Sequence, residues 1–181
     1  MKPNQFMIEG LDFLGKSSLI SDLQNTLGYH QVIHFEKPKK LDAYGGDLYQ
    51  YQRASFENLL HALRAPFFNV ICDRSHLGEA VYADLYRGYS GDYVFDLERF
   101  FRVQDLRGLR LILLTEDFSI SNHFKDDGQS FDPTKRAEEQ QKFMTAFEKS
   151  IIRDKRIICV TDPTTGGFRD RKDVLQEALQ D

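Results

Sequence analysis

Residues 10–17 read Gly-Leu-Asp-Phe-Leu-Gly-Lys-Ser, a complete G-x-x-x-x-G-K-S pattern. Its two glycines bracket a loop whose backbone N–H groups can turn inward onto an anion, and the helix that follows adds its own N-terminal amides. In such a loop Lys16 reaches the β- and γ-phosphates of a nucleoside triphosphate, and the Ser17 hydroxyl ligates Mg²⁺. The cradle expected for ATP and Mg²⁺ runs from Gly10 to Ser18 and takes in Asp12, Gly15, Lys16 and Ser17. The pattern has this meaning only between a strand and a helix. Here it follows the apolar run Phe6-Met7-Ile8 and opens Ser17–Leu27, where Leu19, Ile20, Leu23 and Leu27 recur at helical spacing. Elsewhere the same residues would be a Gly-rich turn that binds nothing.

A second candidate is Cys72-Asp73-Arg74-Ser75-His76, which ends another apolar run. An Asp at a strand's carboxyl end can hold Mg²⁺ through water, and an Arg beside it can fork onto phosphate oxygens. The plainer alternative is a salt bridge at the end of the strand.

Five short apolar or β-branched runs, Phe6–Ile8, Val32–Phe35, Asn69–Cys72, Leu111–Leu114 and Arg156–Val160, alternate with helical patterns. The helices expected between and after them are Ser17–Leu27, Asp47–Leu63, Leu77–Tyr86, Phe95–Leu106, Lys135–Ile152 and Arg171–Leu179. Several runs are apolar throughout, as in strands covered on both faces, and the intervening segments are long enough for helical crossovers. The fold class expected is α/β: a three-layer P-loop fold with a five-stranded, mostly parallel sheet between helices, ligands lying at the strands' carboxyl ends. Residues 1–181 are expected to form one domain. A polar stretch without periodicity, Phe118–Pro133, carries Asp126-Asp127-Gly128 and reads as a lid over the site, extending to about residue 137.

The chain has 181 residues and a net charge of −4, so no global basic field would draw it to nucleic acid. Aromatics are plentiful, with 15 Phe and 8 Tyr but no Trp. No apolar run is long enough for a membrane span, and no signal peptide fits ahead of the first strand. Cys72 and Cys159 each end an apolar run and read as buried thiols of a cytoplasmic protein. A Ras-type GTPase would need Asn-Lys-x-Asp after a late strand to read guanine; this chain has Thr115-Glu116-Asp117-Phe118. It is also short for a motor ATPase with coupling elements. A small kinase is the class that remains.

Phe6-Met7-Ile8-Glu9-Gly10-Leu11-Asp12, continuing through Gly15-Lys16-Ser17-Ser18, resembles the opening of thymidylate kinases, and Asp73-Arg74 is similar to that family's pair after the third strand. The stretch from Asp73 to Tyr82, with Tyr86-Arg87-Gly88-Tyr89, looks most like bacteriophage-encoded members. The resemblance implies that Tyr49 stacks on the acceptor base and that Arg53, one helical turn later, hydrogen-bonds it. It implies that Tyr82 packs on the deoxyribose, Asp12 binds the sugar 3′-hydroxyl, and Arg74 grips the acceptor phosphate. Glu79 has no counterpart in the family; it falls where it could read a different base, and a solvent-facing carboxylate is the plainer alternative. The acceptor implied is dTMP or a 5-substituted pyrimidine deoxynucleotide, with possible homodimers, as is common in the family.

The chain departs from the family in places. Phe13-Leu14 fill positions that usually read Gly-x, and would crowd the loop toward the acceptor. Some relatives carry a catalytic Arg inside the loop; here the transition-state cation must come from elsewhere, and Lys125, Lys135 and Arg136 are the candidates. Where relatives use an Arg to hold the acceptor phosphate, Lys37 is the substitute. The cluster Lys37, Lys39 and Lys40 can also be read as a local DNA contact. A second reading is therefore a kinase acting on a modified base within DNA, such as 5-hydroxymethyluracil. A third is a nucleotide-binding module without catalysis.

Overall fold

A computed structural model describes residues 3–35, 47–65, 69–120 and 133–180. Five strands, β1 (Gln5–Gly10), β2 (Gln31–His34), β3 (Val70–Asp73), β4 (Leu109–Thr115) and β5 (Asp154–Cys159), form one sheet in the order β2-β3-β1-β4-β5. Every pairing is parallel. β1, β3 and β4 are buried along their whole length, whereas the edge strands β2 and β5 are largely exposed or half-buried. The continuous apolar runs lie inside because parallel strands between two helical layers have no solvent face.

Six α-helices flank the sheet among the described residues: α1 (Lys16–Leu27), α2 (Leu48–Ala62), α3 (His76–Tyr82), α4 (Tyr93–Phe101), α5 (Arg136–Lys149) and α6 (Arg171–Leu179). α1 packs on α6, and α3 packs on both α4 and α5. The expected three-layer α/β architecture is the one observed. The chain leaves β1 past β3 to the edge strand β2, whereas it leaves β3 past β1 to β4, so the connections of these two neighbours run in opposite directions and the switch point falls at the carboxyl end of β1. That crevice is where ligands of open α/β sheets bind, and the 10–17 loop sits in it.

Element boundaries move for identifiable reasons. β4 begins at Leu109 rather than Leu111 and contains the buried Arg110. The charge is tolerated because Nε donates to Asp154 at 2.8 Å, and Nη1 donates to the Ala178 and Gln180 carbonyls at 2.8 Å each. The helix expected over Leu77–Tyr86 is α3 followed by a π-helical turn, Ala83–Arg87. The one expected over Phe95–Leu106 stops at Arg102, whose φ of 53° lies in the left-handed region. α5 starts at Arg136, after a 3₁₀ turn over Pro133–Lys135. Cys72 is buried, but Cys159 is only half-buried, contrary to the expectation for both thiols. Among the described residues no helix is long and apolar enough to cross a membrane. Lys37, Lys39, Lys40, Lys125 and most of the expected lid lie outside the described residues.

Gly10 ends β1 with φ 131°, and a Cβ there would lie 2.4 Å from the Leu114 carbonyl oxygen. The glycine lets β1 and β4 stay paired while the chain leaves the sheet. Gly10→Ala should therefore cost about 2–4 kcal/mol from backbone strain and overpacking. Urea unfolding of the two proteins measures this, and an unchanged midpoint would contradict the close approach.

Candidate active site

The 10–17 loop is built around Lys16. Its Nζ turns back and donates to the carbonyls of Gly10 at 2.9 Å and Leu11 at 2.5 Å. Gly15, at φ 80°, provides the left-handed step into α1. Phe13 adopts φ 68°, a region a residue with a Cβ enters only at some cost. This is one of the positions where the resemblance would place Gly. Leu14 is buried and lines a cavity on the α1 side of the loop. Ser17 is exposed at the first turn of α1, and Ser18 is half-buried behind it.

Two arginines converge on Asp12. Arg74, itself at φ 66°, pairs through Nη2 with the Asp12 carboxylate. Arg136, the first residue of α5, points Nη1 and Nη2 at the Asp12 carbonyl, both at 3.3 Å. The same guanidinium donates to Glu116 Oε1 from Nε at 3.2 Å and from Nη2 at 2.6 Å. Of the three cations proposed to replace a loop arginine, Arg136 stands at the loop. Lys135 instead lies over the Tyr86 ring, 5.5 Å from its centroid. Burial, and next the Arg74 guanidinium, lower the Lys16 ammonium from its ordinary 10.5 to about 8.

Asp73 ends β3 beside the loop. Its Oδ2 lies 2.8 Å from His34 Nδ1, and its buried Oδ1 has no hydrogen-bond partner among the described residues. A carboxylate oxygen left unpaired in a buried position fits a metal-bound water, and the exposed Ser17 hydroxyl fits a direct ligand. Among the described residues no three His, Cys, Asp or Glu side chains cluster as a metal cage. A divalent ion here would depend on nucleotide phosphates, as Mg²⁺ commonly does.

Glu9 was quoted above only as part of the loop's flank, yet it organises the Asp73–Arg74 turn. Its Oε1 accepts from Ser75 N–H at 2.9 Å, Ser75 Oγ at 2.6 Å and Gly78 N–H at 3.3 Å. A carboxylate from β1 thus caps the N-terminus of α3, where the helix dipole favours negative charge. Burial raises the Glu9 carboxyl above its ordinary range.

The expected acceptor residues fall on α2, α3 and the segment after α3. Tyr49 meets Tyr89 and Tyr93 edge to face, with centroids 5.5 and 5.0 Å away. Arg53 is exposed and donates to the Tyr49 hydroxyl at 3.2 Å and to Glu57 at 2.9 Å. Tyr82 is buried, tilted against Tyr86 and edge-on to Phe143. Glu79 is buried too, and its carboxylate takes Arg87, the Tyr89 hydroxyl at 2.6 Å and the Tyr93 hydroxyl at 3.2 Å. These contacts tie the Glu79 carboxylate to the aromatic wall around Tyr49 and keep it out of solvent. The signal was present in the tyrosines after Arg87, but only the fold brings them to one carboxylate.

On the opposite side of the loop lies a cavity of about 200 Å³ lined by Leu14, Gly15, Ser18, Val160, Phe168 and Arg171. Arg171 is clamped on Asp22 at 3.0 and 2.7 Å, and Phe168 is 53% exposed beside it. Val160, Phe168 and Arg171 were not singled out as site residues from the sequence.

The G-x-x-x-x-G-K-S loop at the switch point of a five-stranded parallel sheet between helices fits a three-layer α/β P-loop fold. Solved structures with this fold cover nearly the whole chain. The YorR protein from Bacillus subtilis, in complex with phosphorylated GDP, matches 95% of this chain and 91% of its own at 13% identity, TM-score 0.59. Thymidylate kinase from Candida albicans matches 97% and 88% at 18% identity, TM-score 0.54. Deoxyadenosine kinase from M. mycoides, with products dCMP and dCDP bound, matches 95% of each chain at 16% identity, TM-score 0.52. No protein-family model and no curated protein matches the sequence.

The depressed Lys16 links stability to pH with a definite sign. Between about 8 and 10.5 the unfolded chain holds a proton that the folded chain has lost, so stability rises with pH in that window. Relative to a Lys16→Met variant, the ligand-free protein should gain about 1–2 kcal/mol between roughly pH 8 and 9.5. Parallel urea titrations test this, and a constant difference would rule out a buried, depressed lysine.

Proposed function

We propose that this protein is an ATP- and Mg²⁺-dependent phosphotransferase whose acceptor is a deoxynucleoside monophosphate, dTMP or a 5-substituted pyrimidine relative. The observation that carries the reading is the convergence of Lys16, Arg74 and Arg136 on the first residues of the loop. A loop that only binds nucleotide needs the lysine. Two further arginines at the same place suit a transfer in which negative charge spreads over the moving phosphoryl oxygens. The thymidylate kinase resemblance and the likeness of fold support the choice of acceptor class.

In this reading the triphosphate lies on the loop amides, with Lys16 leaving the Gly10 and Leu11 carbonyls for the β/γ-phosphates. The donor base enters the cavity beside Gly15 and Ser18, against Phe168. Ser17 and, through water, Asp73 hold the Mg²⁺, which when bound offsets charge on the phosphate oxygens. On the other side, Tyr49 and Arg53 hold the acceptor base, and Tyr82 faces its sugar. Arg74 exchanges Asp12 for the acceptor phosphate and releases the Asp12 carboxylate for the 3′-hydroxyl. An acceptor phosphate oxygen attacks the γ-phosphorus in line as the bond from that phosphorus to the β–γ bridging oxygen breaks and ADP leaves. No covalent intermediate is involved, and catalysis is orientation plus charge neutralisation.

Incubation with γ-labelled ATP and Mg²⁺ tests this, offering each deoxynucleoside monophosphate separately and then DNA carrying 5-hydroxymethyluracil. Label should pass to a pyrimidine monophosphate. Label only in DNA would replace the acceptor, and no transfer with retained ATP binding would reduce the protein to a binding module. Lys16→Ala should slow turnover by about 10²–10³-fold with the fold intact. Arg53→Ala should raise the acceptor KM about tenfold, the loss of one hydrogen bond to a charged group, while the ATP KM stays put.

A further inference from the structure

We infer that Glu116 is the positioning residue of Arg136: it fixes the guanidinium plane at the phosphate loop before any nucleotide arrives. The inference rests on the reading of Arg136 as a phosphoryl-facing cation. Arg136 is the first residue of α5, where the helix dipole disfavours positive charge. A cation at that end stays in one orientation only if other groups hold it. Glu116, the residue after β4, supplies the hold: its side chain is 2% exposed, and its Oε1 accepts from both Nε and Nη2. The Glu116 backbone is locked as well. Gln140, one turn further along α5, accepts from Glu116 N–H at 2.8 Å and donates to the Glu116 carbonyl at 2.9 Å.

The strand end and the first turns of α5 are thus joined by two side chains, one of which also reaches the Asp12 carbonyl. Four of the contacts made by the guanidinium N–H groups are spent on Glu116 and Asp12, which sets the plane and the depth of its approach. The pairing also resolves an electrostatic conflict. An isolated carboxylate next to a triphosphate would oppose anion binding, whereas one whose charge is matched by Arg136 does not.

The test reads basal ATP hydrolysis, which requires no knowledge of the acceptor, and then transfer, in the full chain. Wild type, Glu116→Ala, Glu116→Gln, Arg136→Ala and the Glu116→Ala/Arg136→Ala double variant are compared for kcat and ATP KM. Glu116→Ala should lower kcat by about 10–100-fold, the scale of a misplaced catalytic group, with ATP KM within about twofold. Glu116→Gln, which still accepts from the guanidinium, should recover part of that loss. In the Arg136→Ala background, Glu116→Ala should cost nothing further. An equal additional loss there would show a merely structural role and overturn the inference. A slow Arg136→Ala beside a wild-type Glu116→Ala would overturn it while leaving the arginine's role standing. A fast Arg136→Ala would remove both, as would a wild type that never cleaves ATP. If Glu116→Ala does not fold by circular dichroism, the Glu116→Gln kcat decides: unchanged kcat counts against the inference, and a drop at constant ATP KM supports it.

Discussion

Three cations crowd the first residues of the phosphate loop, and much of the surrounding structure keeps them there. Lys16, Arg74 and Arg136 would repel one another in a buried site. They coexist because each has its own acceptors: the Gly10 and Leu11 carbonyls for Lys16, the Asp12 carboxylate for Arg74, and Glu116 with the Asp12 carbonyl for Arg136. The acceptors sit at the carboxyl ends of β1 and β4, which pair side by side at the centre of the sheet. Burial of those strands fixes the positions of the acceptors, and hence of the charges. Burial first, and the Arg74 guanidinium next, lower the Lys16 ammonium. A polyanion placed among the three would relieve their mutual repulsion.

Buried carboxylates carry the rest of the organisation. Glu9 caps α3 from the neighbouring strand and sets the turn that presents Arg74. Glu79 gathers Arg87, Tyr89 and Tyr93 into a wall against Tyr49. Glu98 accepts from Ser150 Oγ and Ile151 N–H at 2.7 Å each and lies 2.7 Å from His76 Nε2, so α3, α4 and the segment between α5 and β5 are tied together. Each is buried with several partners, the condition under which an interior charge is tolerated. The two arms of the site, Arg74 on one side and Arg136 on the other, are therefore held by acidic groups that a list of cationic candidates does not reveal.

The fold was legible because its signals are local. Continuous apolar runs mark strands buried on both faces, and helical spacing marks the crossovers. The boundaries that moved did so where a distant contact overrides local composition. Arg110 is part of β4 because Asp154 and the end of α6 receive it. Asp73 extends β3 because Ile8 and His34 lie opposite it. In the site, Lys16, Asp73 and Arg74 were legible because motif spacing along a strand–loop–helix unit is itself geometry. The partnership of Glu116 with Arg136 was not, since the two are joined only across β4 and α5. The same holds for Glu79, whose enclosure by Arg87, Tyr89 and Tyr93 appears only in the fold.

By itself the sequence determined the parallel α/β class, the phosphate loop at Gly10–Ser17 and the Asp73–Arg74 turn, all readable from neighbours within a few residues. Tertiary structure alone decided that Arg136 stands at the loop, that Glu116 holds it, and that Leu14 faces the cavity on the α1 side. The reason is physical. Local spacing dictates what a segment can form, but the partner of a buried charge is whichever group the packed sheet and helices bring within hydrogen-bonding distance, and that group can come from anywhere in the chain.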